Sequence, residues 1–147
     1  MNNIWYFTNT YLVFVVWLFV LFYFIYIQKY KQATKLTVSS VLILVIIFFI
    51  KEFYLIPRPF RLSGFSPNSG LNMFSSFPSL HAAWAFMLAT TAVVVFKKVS
   101  FEALAILAAT FFSVFRVLAN SHSLLDIGFG ALIGVLITAY IFEALDL

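Results

Sequence analysis

The stretch SVFRVLANSHSLLDIGFGALIGVLITAYIF, residues 113–142, decides the fold. It leaves one apolar run, passes through the short polar segment ANSHS (119–123) and enters a second apolar run. A bilayer core of ~30 Å needs about 20 helical residues to cross it, and each flanking run is of that order. Two such runs joined by a few polar residues read as a pair of membrane-spanning helices. Arg116 closes the first helix, and His122 and Asp126 open the second. Charged side chains at such depths are costly, and where they occur they are usually functional.

Working outward, the remaining chain is equally apolar. Of its 147 residues, 64% are hydrophobic and 10% charged, with a mean hydropathy of +1.06. Soluble domains have roughly 45–50% apolar and about 25% charged residues. The length allows one domain, residues 1–147. Further spans are expected at Met1–Gln28, Leu36–Ile56 and Ser79–Phe96, with the outer pair at Val99–Leu118 and Leu124–Phe142. The fold class is therefore all-α, an integral membrane bundle of about five transmembrane helices. The first span is not expected to be a cleaved signal peptide: no basic side chain precedes it, the run is too long, and no A-x-A site follows. The net charge of +4 comes from basic residues scattered at span ends, which excludes a nucleic-acid-binding stripe. Cysteine is absent, so disulfides, thiolate nucleophiles and thiolate metal sites are excluded.

Residues 57–78, PRPFRLSGFSPNSGLNMFSSFP, interrupt the apolar pattern. Four prolines oppose a continuous helix and the Gly, Ser and Asn residues favour turns. The interleaved aromatics predict a loop or lid against the lipid interface, with Arg61 as a headgroup anchor. Lys29, Lys31 and Lys35 fall between spans one and two, and Lys97 and Lys98 between spans three and four. The positive-inside rule places both loops in the cytoplasm. Lys51, Arg58, His81, Arg116, His122 and Asp126 then all arrive at the opposite face, the outer face of a cytoplasmic membrane.

Phosphoryl transfer is catalysed mainly by positioning and by electrostatic stabilisation of the phosphate oxygens. Lys51, Arg58 and Arg116 supply three cations, and an arginine fork binds phosphate bidentately. Ser79, after Pro78, is placed to cap the third span, whose free N–H groups would face the anion. His81 lies in the first turn of that span. His122 and Asp126 are four residues apart and share a face if both are helical. Asp126 can then accept Nδ1–H of His122 and leave Nε2 as a nucleophile. His81 remains as the general acid, and a bell-shaped pH profile is expected.

The three groups K-x6-R-P (Lys51, Arg58, Pro59), P-S-x-H (Pro78, Ser79, His81) and R-x5-H-x3-D (Arg116, His122, Asp126) resemble the motifs of the type 2 phosphatidic acid phosphatase superfamily, the membrane lipid phosphate phosphatases. The resemblance covers residues 51–126. It implies that Lys51, Arg58, Ser79 and Arg116 bind phosphate and that His81 protonates the leaving group. It implies that His122 becomes a phosphohistidine with Asp126 as its partner, with no metal and no cofactor. There are departures. Leu80 stands where the family motif has Gly, and P-S-L-H is similar to a variant in inositol-lipid transferases of the superfamily. Phe115 replaces a Ser, and Ser113 is out of register with it. Six spans are usual in the family, against about five here.

The expected activity is hydrolysis of a phosphate or diphosphate from a lipid headgroup. Undecaprenyl diphosphate is the first choice, with phosphatidylglycerophosphate, phosphatidic acid and lipid A phosphate as the other candidates. A lipid phosphotransferase using the same histidine, and a non-catalytic lipid-binding or transport module, are the competing readings. Gly130 and Gly134 form G-x-x-x-G, expected to pack helices within the chain. Asn120 and Ser121 are expected to turn it.

Overall fold

The computed structural model describes residues 3–54, 56, 58, 59 and 75–145, with side chains from Tyr11 onward. Five helices follow one another: α1 (Asn3–Tyr26), α2 (Tyr30–Phe53), α3 (Leu80–Phe96), α4 (Val99–Leu118) and α5 (Leu124–Ala144). No strand occurs among the described residues. In a bilayer every backbone polar group has to be satisfied within the protein, which a helix does by itself. By length and composition α2, α4 and α5 are sufficient to cross a membrane. Helix α3 and the part of α1 with described side chains, Tyr11–Tyr26, are shorter apolar helices.

The bundle is organised around α3, which packs against α5 and α4 and also touches α1 and α2. Four of its buried side chains are alanines, Ala82, Ala83, Ala85 and Ala89, set among Trp84, Met87 and Thr91. Small residues let helices approach closely where lipid supplies no hydrophobic drive. The approach is closest to α5. A Cβ added at Gly130 would collide with the Ser79 carbonyl oxygen, and one at Gly134 with that of Ala83. The G-x-x-x-G pair thus seats α5 on the first turns of α3 within one chain. Leu36, Ile43 and Ile47 of α2 complete the core. The outward faces carry large apolar side chains such as Phe48, Phe111 and Tyr140, which suits a hydrocarbon surround. Three buried helix hydroxyls are satisfied one turn back: Ser39 donates to the Lys35 carbonyl at 2.8 Å, Thr91 to Met87 at 2.9 Å and Thr138 to Gly134 at 2.7 Å.

Several boundaries move from their expected positions. Helix α2 begins at Tyr30, six residues before Leu36, and ends at Phe53. Lys31, Gln32, Ala33 and Lys35 are good helix formers and nothing there breaks the helix. Lys31 and Lys35 therefore sit inside α2 rather than in a loop. The Lys35 ammonium donates to the Phe142 carbonyl at 3.0 Å, a cation on the last turn of α5. Most of the predicted lid, residues 60–74 with Arg61, lies outside the described residues.

Candidate active site

The tip of the α4–α5 pair is built by two backbone motifs in succession. After α4, Asn120 adopts a left-handed conformation (φ 52°). The N–H of Ser121 donates to the Arg116 carbonyl at 3.1 Å and that of Asn120 to Val117 at 2.9 Å. This pairing closes a helix in a Schellman turn, a role asparagine fills because it tolerates positive φ. Before α5, Ser123 is the N-cap: its Oγ accepts from the Asp126 N–H at 3.2 Å, and its own N–H donates to Asp126 Oδ2 at 2.7 Å. That reciprocal capping box fixes the start of the helix.

His122 is the one residue between these motifs, so its backbone is set from both sides. It is not helical, contrary to one branch of the sequence expectation; Ser123 takes the cap and α5 starts at Leu124. The His–Asp pair forms nonetheless across the cap, with Nδ1 of His122 3.6 Å from Oδ2 of Asp126, slightly longer than a hydrogen bond. On the other side of the ring, Nε2 lies 3.5 Å from Nη2 of Arg116. His122 is only 2% exposed. Burial, helped by the Arg116 and Arg58 charges and opposed by Asp126, lowers its pKa to about 4. The imidazole is therefore neutral around neutral pH.

The second wall is the segment from Ser75 to Ser79. Ser76 N–H donates to the Ile56 carbonyl at 2.7 Å, and Ser75 Oγ accepts from the Ile56 N–H at 3.2 Å. These bonds bring the chain beyond α2 alongside the lead-in to α3. The Ser75 carbonyl accepts from the Lys51 ammonium at 2.6 Å, and the Ser76 side chain hydrogen-bonds the Asp126 carboxylate. Ser79 caps α3, its Oγ accepting from the Ala82 N–H at 3.3 Å. Its own N–H donates to the Asp126 carbonyl at 2.9 Å, tying the α3 start to the first turn of α5.

Lys51, Arg116, His122, Asp126 and Ser79 are thus joined by direct contacts or through shared partners. Arg58, half-buried, acts electrostatically on Lys51, Arg116 and His122. His81 occupies the first turn of α3, two residues past Ser79. Its ring sits edge-on to Phe14 (centroids 5.5 Å apart), with Phe112 at 6.4 Å. Ser75 and Ser76, both buried, were not singled out by the sequence. Their one signal was a serine pair before Phe-Pro-Ser in a chain poor in polar residues.

Chemically, such a grouping suits an anion. Three cations and a capped helix start surround a buried neutral imidazole that is held between a carboxylate and a guanidinium. The sequence matches the PAP2 superfamily over residues 32–146. Among solved structures it is similar to the crystal structure of LpxE from Aquifex aeolicus, with 25% sequence identity and a TM-score of 0.74. That match covers 97% of this chain and 88% of the other. No curated protein sequence gives a significant match.

Proposed function

The chain belongs to the PAP2 superfamily, and from that premise we propose that it removes phosphate from a lipid headgroup through a phosphohistidine on His122. In general class it is an integral membrane lipid phosphatase. The observation that carries the finer reading is the state of His122: buried, neutral, and placed between Asp126 and Arg116.

In the first step the Nε2 lone pair attacks phosphorus and a P–N bond forms. The P–O bond to the lipid breaks, and the leaving oxygen takes a proton from His81. The ring, now attached through Nε2 and protonated at Nδ1, carries positive charge that the Asp126 carboxylate offsets. Lys51, Arg58 and Arg116 hold the non-bridging oxygens. Ser79, whose Oγ accepts from a backbone N–H, still has its hydroxyl hydrogen to donate to one of them. In the second step water attacks phosphorus, its proton passes to His81, and the P–N bond breaks to release inorganic phosphate. The cycle restores both histidines and consumes no cofactor.

The preferred substrate is an isoprenoid diphosphate, undecaprenyl diphosphate, at the outer face of a cytoplasmic membrane. Support for that placement comes from the lysines. Lys29, Lys31, Lys97 and Lys98 are exposed at the bundle end opposite the site, and the positive-inside rule assigns them to the cytoplasm. The test is phosphate release by purified protein in detergent with EDTA. The panel is undecaprenyl diphosphate, phosphatidylglycerophosphate, phosphatidic acid and lipid A. We expect release that vanishes in His122→Ala and is greatest for undecaprenyl diphosphate. Substrate loss without equivalent free phosphate would replace hydrolysis by transfer to another acceptor. Unchanged release by His122→Ala would overturn the phosphohistidine.

A further inference from the structure

An apolar groove of about 290 Å³ lies between α1, α3 and α4, and none of its lining residues belongs to the anion site. Its two long walls nevertheless run directly into that site. On α3 the lining residues Ala85, Leu88 and Ala92 follow His81 at intervals of four, three and four residues. On α4 Ala105, Ala109 and Phe112 precede Arg116 by the same intervals. Residues so spaced share one helix face. One stripe therefore ends at the general acid and the other at a phosphate-binding guanidinium. Phe112, which lines the groove, also faces the His81 ring.

The groove exists because these walls are alanine-rich where neighbouring faces carry Phe, Leu and Ile. Its third side is Leu12, Val16 and Val20 of α1. Among the described residues α1 and α4 scarcely touch, and Leu12, Val16 and Ala108 are exposed. The groove is thus open sideways, toward where the bilayer lies. Helix α5, which leads on from the nucleophile, contributes nothing to the lining.

Resting on the lipid phosphatase reading, we propose that this groove binds one hydrocarbon chain of the substrate, held beneath His81 so that the lipid oxygen departs toward that residue. Three observations fix the occupant. The lining is apolar throughout, which excludes a headgroup or a second anion. Its volume is at the small end of ligand pockets, which are roughly 300–1,000 Å³, so it takes a chain rather than a whole lipid. From His81 to Ala92 the stripe rises about 16 Å at 1.5 Å per residue, about half of the ~30 Å hydrocarbon core and so one leaflet deep. A chain descending from a phosphate at the membrane face has that length and direction. The leaving oxygen is then delivered to the first turn of α3, where His81 stands.

The positions far from the site act as a ruler. Ala92→Phe and Ala105→Phe fill the distal end of the groove, and Leu107→Phe adds the same bulk class to an exposed α4 face outside it. The probes are dipalmitoyl and dihexanoyl phosphatidic acid in detergent. Binding is measured by calorimetry in a His122→Ala background, and phosphate release in the background with His122 intact. For the dipalmitoyl probe we expect both groove variants to weaken binding and raise KM by about tenfold or more, with kcat little changed. The dihexanoyl probe should be handled as by the parent protein, and Leu107→Phe should change neither. Equal affinity of the parent for the two probes, or equal losses on both in the groove variants, would overturn the proposal. Tail-dependent binding that the groove variants abolish, with no phosphate release from any lipid by the parent, would instead leave the groove standing and remove the phosphatase reading.

Discussion

At one end of the bundle Lys29, Lys31, Lys97 and Lys98 stand exposed, while Lys35 reaches a single carbonyl on α5. At the other end Arg116 is 4% exposed, Lys51 is bonded to the Ser75 carbonyl and Arg58 is half-buried beside both cations. The charges are alike and the surroundings are opposite. Exposed lysines at a membrane edge keep their hydration and serve orientation. Three clustered cations partly withdrawn from water repel one another and lose solvation, which is unfavourable unless an anion joins them. Asp126 supplies one negative charge to that cluster, and on the proposed function the substrate phosphate supplies the rest.

The largest effect that would test this contrast comes from exchanging one cation at each end. Arg116→Ala is expected to lower kcat by on the order of 10²–10³-fold, the range found on removing one oxyanion donor. Lys97→Ala should leave the rate within about twofold, as removal of a solvated surface charge does. Comparable losses at the two ends, in steady-state assays on protein of equal thermal stability, would erase the distinction.

A second substitution sharpens it within the site. Asp126→Asn keeps the size of the side chain but removes the charge facing Nδ1, and an expected loss on the order of 10²-fold follows from poorer orientation and weaker support of the charged ring. The pH profile supplies the sign. His122 acts when unprotonated, and its pKa is lowered to about 4, so the acid limb of kcat/KM should fall near that value rather than near an ordinary histidine's. Asp126 holds that pKa up against burial; the Asn variant should therefore move the acid limb to still lower pH. An acid limb at the ordinary histidine value in the parent protein would contradict the buried neutral imidazole.

The smallest expected change is at Ser76. Removing its hydroxyl in Ser76→Ala deletes one hydrogen bond to the Asp126 carboxylate. Hydrogen bonds to charged groups contribute about 1.5–3 kcal/mol, so roughly a tenfold or larger fall in kcat with little change in KM is expected. No change in rate would show that Asp126 is held by the capping box alone.

Much of this could be read from the chain because the proposed chemistry uses residue types that a membrane helix rarely carries. Lys51, Arg58, His81, Arg116, His122 and Asp126 stand out against an apolar background, and their placement at alternate span ends brought them to one face. Ser79 was legible as a cap because Pro78 precedes it. Ser75 and Ser76 were not legible, since they act through a backbone carbonyl and hydroxyls that leave no periodic trace. The start of α5 at Leu124 was legible, whereas the capping box of Ser123 and Asp126 that leaves His122 outside the helix was not. The alanine stripes of α3 and α4 look like ordinary membrane composition until the two helices are set side by side.

The contact of Gly130 and Gly134 with the Ser79 and Ala83 carbonyls has an evolutionary consequence. It makes the spacing between the helix bearing His81 and the helix led by His122 a property of two backbones, independent of which apolar side chains surround them. Chemistry and lipid preference can then diverge separately: alanines along the groove are free to grow or shrink with the lipids a cell makes, while the reaction geometry is inherited unchanged. The glycines are the positions where that freedom stops.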